Sequence, residues 1–231
     1  MRFFNQAKQV LCFLCAINIL LTTLFGATTT SVIEELIVEP EKKSFKIESS
    51  VTLHEIYKIH DIIPFVDKTT LVLFDMDQTL IDDPNHRQYK TVSCLKPVED
   101  EKTIQVFVTV QEKACGVMGL TARAYLGSQD TTLETLKNMS MPLTNPFPKI
   151  KGEILPNIAK TGFWDGILFT RYRSKGEFLD LFLQKLKELL NYKPEKILFV
   201  DDSEKNCLSV KECLEKYEIS GNVFHYMGAF I

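Results

Sequence analysis

Two clusters of acidic residues stand where this chain could do chemistry. In Leu71-Val72-Leu73-Phe74-Asp75-Met76-Asp77-Gln78-Thr79-Leu80-Ile81, four apolar residues run into two aspartates spaced by one. In Lys196-Ile197-Leu198-Phe199-Val200-Asp201-Asp202-Ser203, a second apolar run ends on two adjacent aspartates. In extended chain Asp75 and Asp77 point the same way and Met76 the other. Carboxylates that close repel, and a pKa rises unless a cation sits between them. A hard divalent cation with oxygen ligands is the natural resident, and Mg²⁺ suits a site that keeps positions open for phosphate. An acidic turn after a core strand, or a calcium-binding loop, would also explain the first pair. A helix N-cap would explain Asp202 or Ser203, but it does not require Asp201 as well. Lys175 is a third kind of signal. It opens a helix, where the dipole favours anions, so a lysine there makes better sense aimed at a bound phosphate.

The elements that must carry these residues follow from periodicity. Leu71–Phe74 reads as a strand buried on both faces, as in a parallel sheet, and open α/β sheets bind ligands at the ends of such strands. Pro97-Val98-Glu99-Asp100-Glu101 is a helix start, with acids complementing the dipole and Ile104, Phe107 and Val108 spaced along one face. Gly116–Arg123 reads as a second strand with Thr121 near its end. Ser128 to Met141 reads as a helix. Gly166–Thr170 is a third strand. Phe178, Leu179, Phe182, Leu186, Leu189 and Leu190 repeat at helical spacing after Lys175-Gly176. Lys196–Val200 is a fourth strand, Glu204–Tyr217 a helix, and Asn222–Tyr226 a fifth strand. Ahead of all these, Ser50 to Glu55 carries a capping pattern that predicts a helix from Leu53 to Ile63, ending at Pro64 and bearing His54 and His60 as surface or packing residues. Two stretches are irregular: residues 81–96, polar and next to the first aspartates, and residues 142–165, broken by Pro142, Pro146, Pro148 and Pro156.

The first acidic run resembles the opening signature of the haloacid dehalogenase-like hydrolases, four apolar residues followed by Asp-x-Asp-x-Thr-Leu. The strand closing on Thr121, the helix-start Lys175 and the strand ending in Asp201-Asp202 resemble that superfamily's second, third and fourth signatures, in order. The resemblance covers Leu71 to the C-terminus. It implies an α/β fold, a Rossmannoid three-layer sandwich with a parallel sheet of order 5-4-1-2-3; the insertions at about 81–96 and 142–165 are loop-rich and too short to form a large cap domain. The resemblance further implies phosphomonoester hydrolysis through an aspartyl-phosphate. Asp75 would be the nucleophile and Asp77 the general acid/base. Thr121 and Lys175 would hold phosphoryl oxygens. Mg²⁺ would be held by Asp75, the Asp77 backbone carbonyl and Asp201, with Asp202 in or near its coordination sphere. The substrate would be a phosphorylated small molecule or phosphoprotein reaching an open crevice. A non-catalytic module of the same fold, binding a phospho-ligand or a protein, is the alternative.

A chain of 231 residues suits one domain, and 45% apolar with 25% charged residues is ordinary globular composition. Residues 1–27 differ in kind: Arg2 and Lys8 precede a nearly wholly apolar run from Val10 to Phe25, then Gly26-Ala27. That is the layout of a secretory signal peptide cut near Thr28, with no stable membrane span afterwards; an uncleaved tether is the competing reading. The domains are thus expected as a leader at 1–27, a lead-in at 28–67 and the catalytic domain at 68–231. The chain's net charge is −3, and removing the leader's two positive charges leaves −5, so nothing suggests a nucleic-acid surface. Cys94, Cys115, Cys207 and Cys213 remain beyond the leader, none with metal-ligand spacing; Cys115 and Cys207 read as small buried hydrophobes. Asn138-Met139-Ser140 is a glycosylation sequon.

Overall fold

The computed structural model describes residues 50–82, 95–152 and 160–228. The leader, Cys94, the centre of the 81–96 stretch and Pro156 lie outside them. In chain order the elements are β1 (Val51–Ile56), a 3₁₀ helix (Ile59–Phe65), β2 (Thr70–Phe74), β3 (Ile81–Asp82), β4 (Lys96–Pro97), α1 (Glu101–Lys113), β5 (Gly116–Thr121), α2 (Tyr125–Asn138), β6 (Gly162–Trp164), β7 (Ile167–Phe169), α3 (Lys175–Leu190), β8 (Lys196–Asp201), α4 (Glu204–Lys216) and β9 (Ser220–Tyr226).

Seven strands form one sheet in the order β1-β9-β8-β2-β5-β7-β6, and β3 pairs with β4 in a small separate ribbon. Every pairing in the large sheet is parallel except β6 with β7. The five strands predicted from the apolar runs keep the order 5-4-1-2-3 within it. β2 is central, and all five of its residues are buried, which is why it reads as an unbroken apolar run.

Alternation along β2 divides the core in two. Val72 and Phe74 pack with Val106, Phe107 and Val110 of α1 and with Ile59 and Ile62 of the 3₁₀ helix. Leu71 and Leu73 pack on the other face with Phe178, Leu179, Phe182 and Leu186 of α3 and with Val210 and Leu214 of α4. The result is a sheet with helices on both faces; α1 buries Phe107 of its predicted face but leaves Val108 exposed, and α3 buries Phe178, Leu179, Phe182 and Leu186 but leaves Leu189 exposed. Parallel strands linked by helices deliver the ends of β2, β5, β7 and β8 to one side.

Three expectations are corrected. The predicted helix Leu53–Ile63 is a strand over Val51–Ile56, followed by the 3₁₀ helix. Pairing with β9 along the full length of β1 supplies backbone partners that outweigh the local capping pattern. The sheet therefore begins inside the stretch read as a lead-in. Phe163 and Trp164, at the end of the stretch read as a loop-rich insertion, belong to β6, an antiparallel edge strand. Cys115 is exposed, whereas Cys207 is buried as expected; Cys115, Cys207 and Cys213 are free thiols. His54 is a packing residue, stacked on Phe224 at 4.8 Å and hydrogen-bonded to Asn222.

Candidate active site

The turn after β2 is fixed by its own backbone. Leu80 N and Ile81 N donate to the Met76 carbonyl, and Gln78 N to the Ile81 carbonyl, with Gln78 at a left-handed φ of 62°. Asp75 N donates to the Val200 carbonyl, continuing the β2–β8 ladder to the level of the first aspartate. Thr79 is fully buried, and its hydroxyl accepts from Asp202 N at 3.1 Å. One hydroxyl thus ties the first acidic turn to the second.

On that frame the side chains of Asp75, Asp201 and Asp202 each offer an oxygen, and the three oxygens lie within 4.8 Å of one another. Lys175 reaches them from the first turn of α3. Its Nζ is 2.5 Å from Asp75 Oδ1 and 2.5 Å from Asp201 Oδ2. Ser174 caps the helix by accepting from Glu177 N. Gly176 lets the start of α3 press against α4, because a Cβ there would overlap the Ser209 carbonyl. Lys175 is therefore positioned by an interhelical contact as well as by its ion pairs.

The electrostatics follow from one ammonium facing three carboxylates. Burial pushes the Asp75 carboxyl well above the usual range; Lys175 opposes the rise, and Asp201 adds to it. Burial, then the Asp201 charge, pushes Asp202 up to about 6. Burial alone would lower the Lys175 pKa, but the adjoining carboxylates of Asp75 and Asp201 outweigh it and the pKa is raised. Three hard oxygen donors, two of them reluctant to ionise together without a cation, form a donor set that fits Mg²⁺ or Ca²⁺.

The expected residues converge only in part. Asp75, Lys175, Asp201 and Asp202 come together. The Asp77 side chain stands apart from the three-oxygen group, bound through both oxygens by Arg123: Nε donates to Oδ2 at 3.0 Å and an Nη to Oδ1 at 2.6 Å. This ion pair is partly buried. Thr121 is buried at the end of β5; its hydroxyl accepts from Arg123 N at 3.2 Å, and alternation puts it on the Val117 face, opposite Asp75.

Other contributors went unread in the sequence. Asn206 donates its amide to both oxygens of Asp201 at 3.1 and 3.2 Å, five positions later on α4. An amide one turn into the helix after Asp-Asp was the available signal. His225 Nε2 lies 3.1 Å from the Asp202 carbonyl. Thr170, just beyond β7, is fully buried, and its hydroxyl is the one buried side-chain polar atom among the described residues with no hydrogen-bond partner. An unmade bond of that kind costs about 1–3 kcal/mol.

Comparison with known proteins adds a family. The model of the family described as "Protein of unknown function (DUF2608)" matches residues 85–229, more than half of the chain, so the chain belongs to that family. The match includes Thr121, Lys175, Asp201 and Asp202 and begins after Asp75 and Asp77. A protein of Chlamydia pneumoniae named "Putative outer membrane protein" is 31% identical over 93 residues, 40% of this chain and 33% of that protein. The chain thus spans about a third of that relative's length. No solved structure matches.

Proposed function

We propose that this member of the family is a Mg²⁺-dependent phosphomonoester hydrolase of the haloacid dehalogenase-like type, working through an aspartyl-phosphate on Asp75. The observation that carries the reading is the convergence of Asp75, Lys175, Asp201 and Asp202 from three separate segments on one end of a parallel sheet. An ion-pair network built for stability alone would not set three carboxylates against one ammonium in a buried site. The strand order and the helices on both faces support a Rossmann-like scaffold.

Asp75 Oδ attacks phosphorus in line, and the bond to the leaving oxygen breaks. Asp77 gives that oxygen its proton. A water then attacks the phosphorus of the acyl phosphate, Asp77 takes the proton from it, and phosphate and the Asp75 carboxylate are restored. Arg123 positions Asp77 by holding its two oxygens at rest, and one of those oxygens must leave that grip to carry the proton it transfers. Lys175 neutralises Asp75 at rest and donates to a phosphoryl oxygen during transfer. The Thr121 hydroxyl accepts from Arg123 N, so its hydrogen is left to donate above the strand end. The carboxylates of Asp75, Asp201 and Asp202 and the Asp77 carbonyl would hold Mg²⁺, which supplies the charge neutralisation that lets one anion approach another.

The open-crevice expectation gives phosphorylated proteins or glycans as substrates beside small esters. The layout of residues 1–27 and the name of the Chlamydia relative support export across a membrane. Among the described residues no helix is long and apolar enough to cross one. The test of activity is a panel of phosphate monoesters with the full chain and Mg²⁺. Release of phosphate that stops on chelation supports the reading; a metal-loaded protein inert across the panel overturns it.

A further inference from the structure

The segment from Thr170 to Lys175 holds several features that its own stability does not explain. Thr170 is completely buried, yet no protein atom among the described residues pairs with its hydroxyl. Buried hydroxyls are nearly always paired, so an exception calls for a reason. The two residues that follow, Arg171 and Tyr172, have left-handed φ values of 50° and 60°. Neither is glycine, and strained non-glycine backbone gathers at ligand-binding positions. Backbone bonds hold the strain in place: Arg171 N donates to the Arg123 carbonyl, Tyr172 N to the Ala122 carbonyl and Arg173 N to the Thr170 carbonyl. The chain then enters the cap of α3 and delivers Lys175 to Asp75 and Asp201.

The face on which Thr170 lies gives the feature its meaning. Thr170 N donates to the Thr121 carbonyl, so the β5–β7 ladder continues to this residue. Alternation then sets Thr170 with Leu168, on the face covered by α3 and α4. Asp75 lies on that same face through Leu73, and Asp201 through Phe199. Thr121, the hydroxyl that sequence order favours, falls on the other face with Val117. The unpartnered hydroxyl therefore stands on the carboxylate side of the sheet, five residues before the site's ammonium at Lys175.

We propose that Thr170 is a phosphate-binding residue, its hydroxyl donating to a non-bridging oxygen of the phosphoryl group that Lys175 also holds. This rests on the phosphatase reading and adds to it a donor on the Asp75 face. A phosphoryl group carries charge on three such oxygens, and each needs a positioned donor. Bound phosphate supplies the acceptor that the folded chain does not.

The test is Thr170→Val, which keeps the shape and removes the hydroxyl, with Thr170→Ser as the rescue. Ligand-free melting comes first, because a valine in place of a paired hydroxyl would lower the melting temperature. The proposal expects a melting temperature equal to the parent's or higher. With Mg²⁺ present, inorganic phosphate should bind the valine variant about 10- to 100-fold more weakly, and kcat/KM for p-nitrophenyl phosphate should fall by a similar factor. The serine variant should recover most of both. Unchanged phosphate affinity in the valine variant overturns the proposal, and so does a loss that serine fails to restore. If the parent binds phosphate without turning over any ester, the phosphatase reading fails while the valine-to-serine comparison of phosphate affinity still decides Thr170. A parent that does not bind phosphate at all overturns both.

Discussion

Aspartates at the two ends of the sheet live in opposite circumstances. At the end where β2 begins, Asp67 accepts from Thr69 N and from the hydroxyls of Thr69 and Thr70, and its other oxygen pairs with Lys196 at the start of β8. Those partners, the Thr69 bonds first, hold its carboxyl well below the usual range. At the end where β2 finishes, Asp75 and Asp202 are pushed upward first by burial and then by neighbouring carboxylates, and Lys175 pairs with Asp75. One end uses charge to fasten two strand starts together. The other crowds three carboxylates beside one buried ammonium, in an arrangement that a bound cation would relieve. A carboxylate with its bonds fulfilled is structural; carboxylates left in excess of their partners mark a candidate site.

The sharpest way to break that contrast is to neutralise one aspartate from each end. Asp75→Asn should lower kcat/KM for any phosphate ester that the parent hydrolyses by roughly a thousandfold or more, since no neighbouring group replaces the nucleophile. Asp67→Asn should leave kcat/KM within about twofold, because it lies at the opposite end of β2. Steady-state kinetics on both variants decides; activity of Asp75→Asn within tenfold of the parent would end the nucleophile assignment.

Next in size is the response to metal. At a Mg²⁺ concentration about 100 times Kd the protein should gain about 2.7 kcal/mol of apparent stability. Asp201→Ala should weaken Mg²⁺ binding by roughly tenfold or more, since it removes a ligand and frees the Asn206 amide. Calorimetric titration of parent and variant measures it; equal affinities would mean that the metal sits elsewhere.

A smaller effect sharpens the structural end. Asp67→Ala should cost about 1 kcal/mol of unfolding free energy, the worth of partly solvated turn and ion-pair contacts. Denaturant unfolding of the metal-free protein is the measurement, and a loss above about 3 kcal/mol would place Asp67 in a larger network than these bonds describe.

The smallest effect concerns pH, where the two ends should differ in sign. Asp202 has its folded pKa raised to about 6, so the folded state holds that proton more tightly than the unfolded chain does. Its contribution to stability is complete below the ordinary carboxylate value of 3.8 and disappears as pH rises through about 6. Asp67, with its folded pKa depressed, contributes above the ordinary value and loses that contribution as pH falls. In chelator, Asp202→Asn should therefore remove a fall in stability between about pH 4 and 6 that the parent shows. Melting curves across that range give the answer, and parallel profiles for parent and variant would contradict the Asp202 environment.

Much of this was legible because local and global signals agreed. Leu71–Phe74 announces a central parallel strand by being apolar at every position, and the sheet buries it on both faces. The stripe from Phe178 to Leu190 foretells α3 over the residues it occupies. Lys175, Asp75, Asp201 and Asp202 could be named in advance because Lys175 sits where a helix begins and the aspartates where strands end. What stayed hidden depends on contacts between distant segments. β1 is a strand because β9 offers it an edge, and no local pattern over Val51–Ile56 reports that. The grip of Arg123 on Asp77 spans 46 positions. Thr170 looked like the ordinary end of a strand, and its hydroxyl matters only because the folded chain leaves it without a partner.

The covalent intermediate is the most direct test of the central claim. The full chain, loaded with Mg²⁺ and mixed with a phosphate ester that it hydrolyses, is quenched within a turnover and reduced with borohydride. An acyl phosphate is converted by this treatment to an alcohol at the residue that carried it. The account predicts that peptide mass spectrometry finds homoserine in place of aspartate at position 75, dependent on both substrate and Mg²⁺. Steady hydrolysis with Asp75 recovered intact under every quench time, or reduction at another carboxylate, would contradict it.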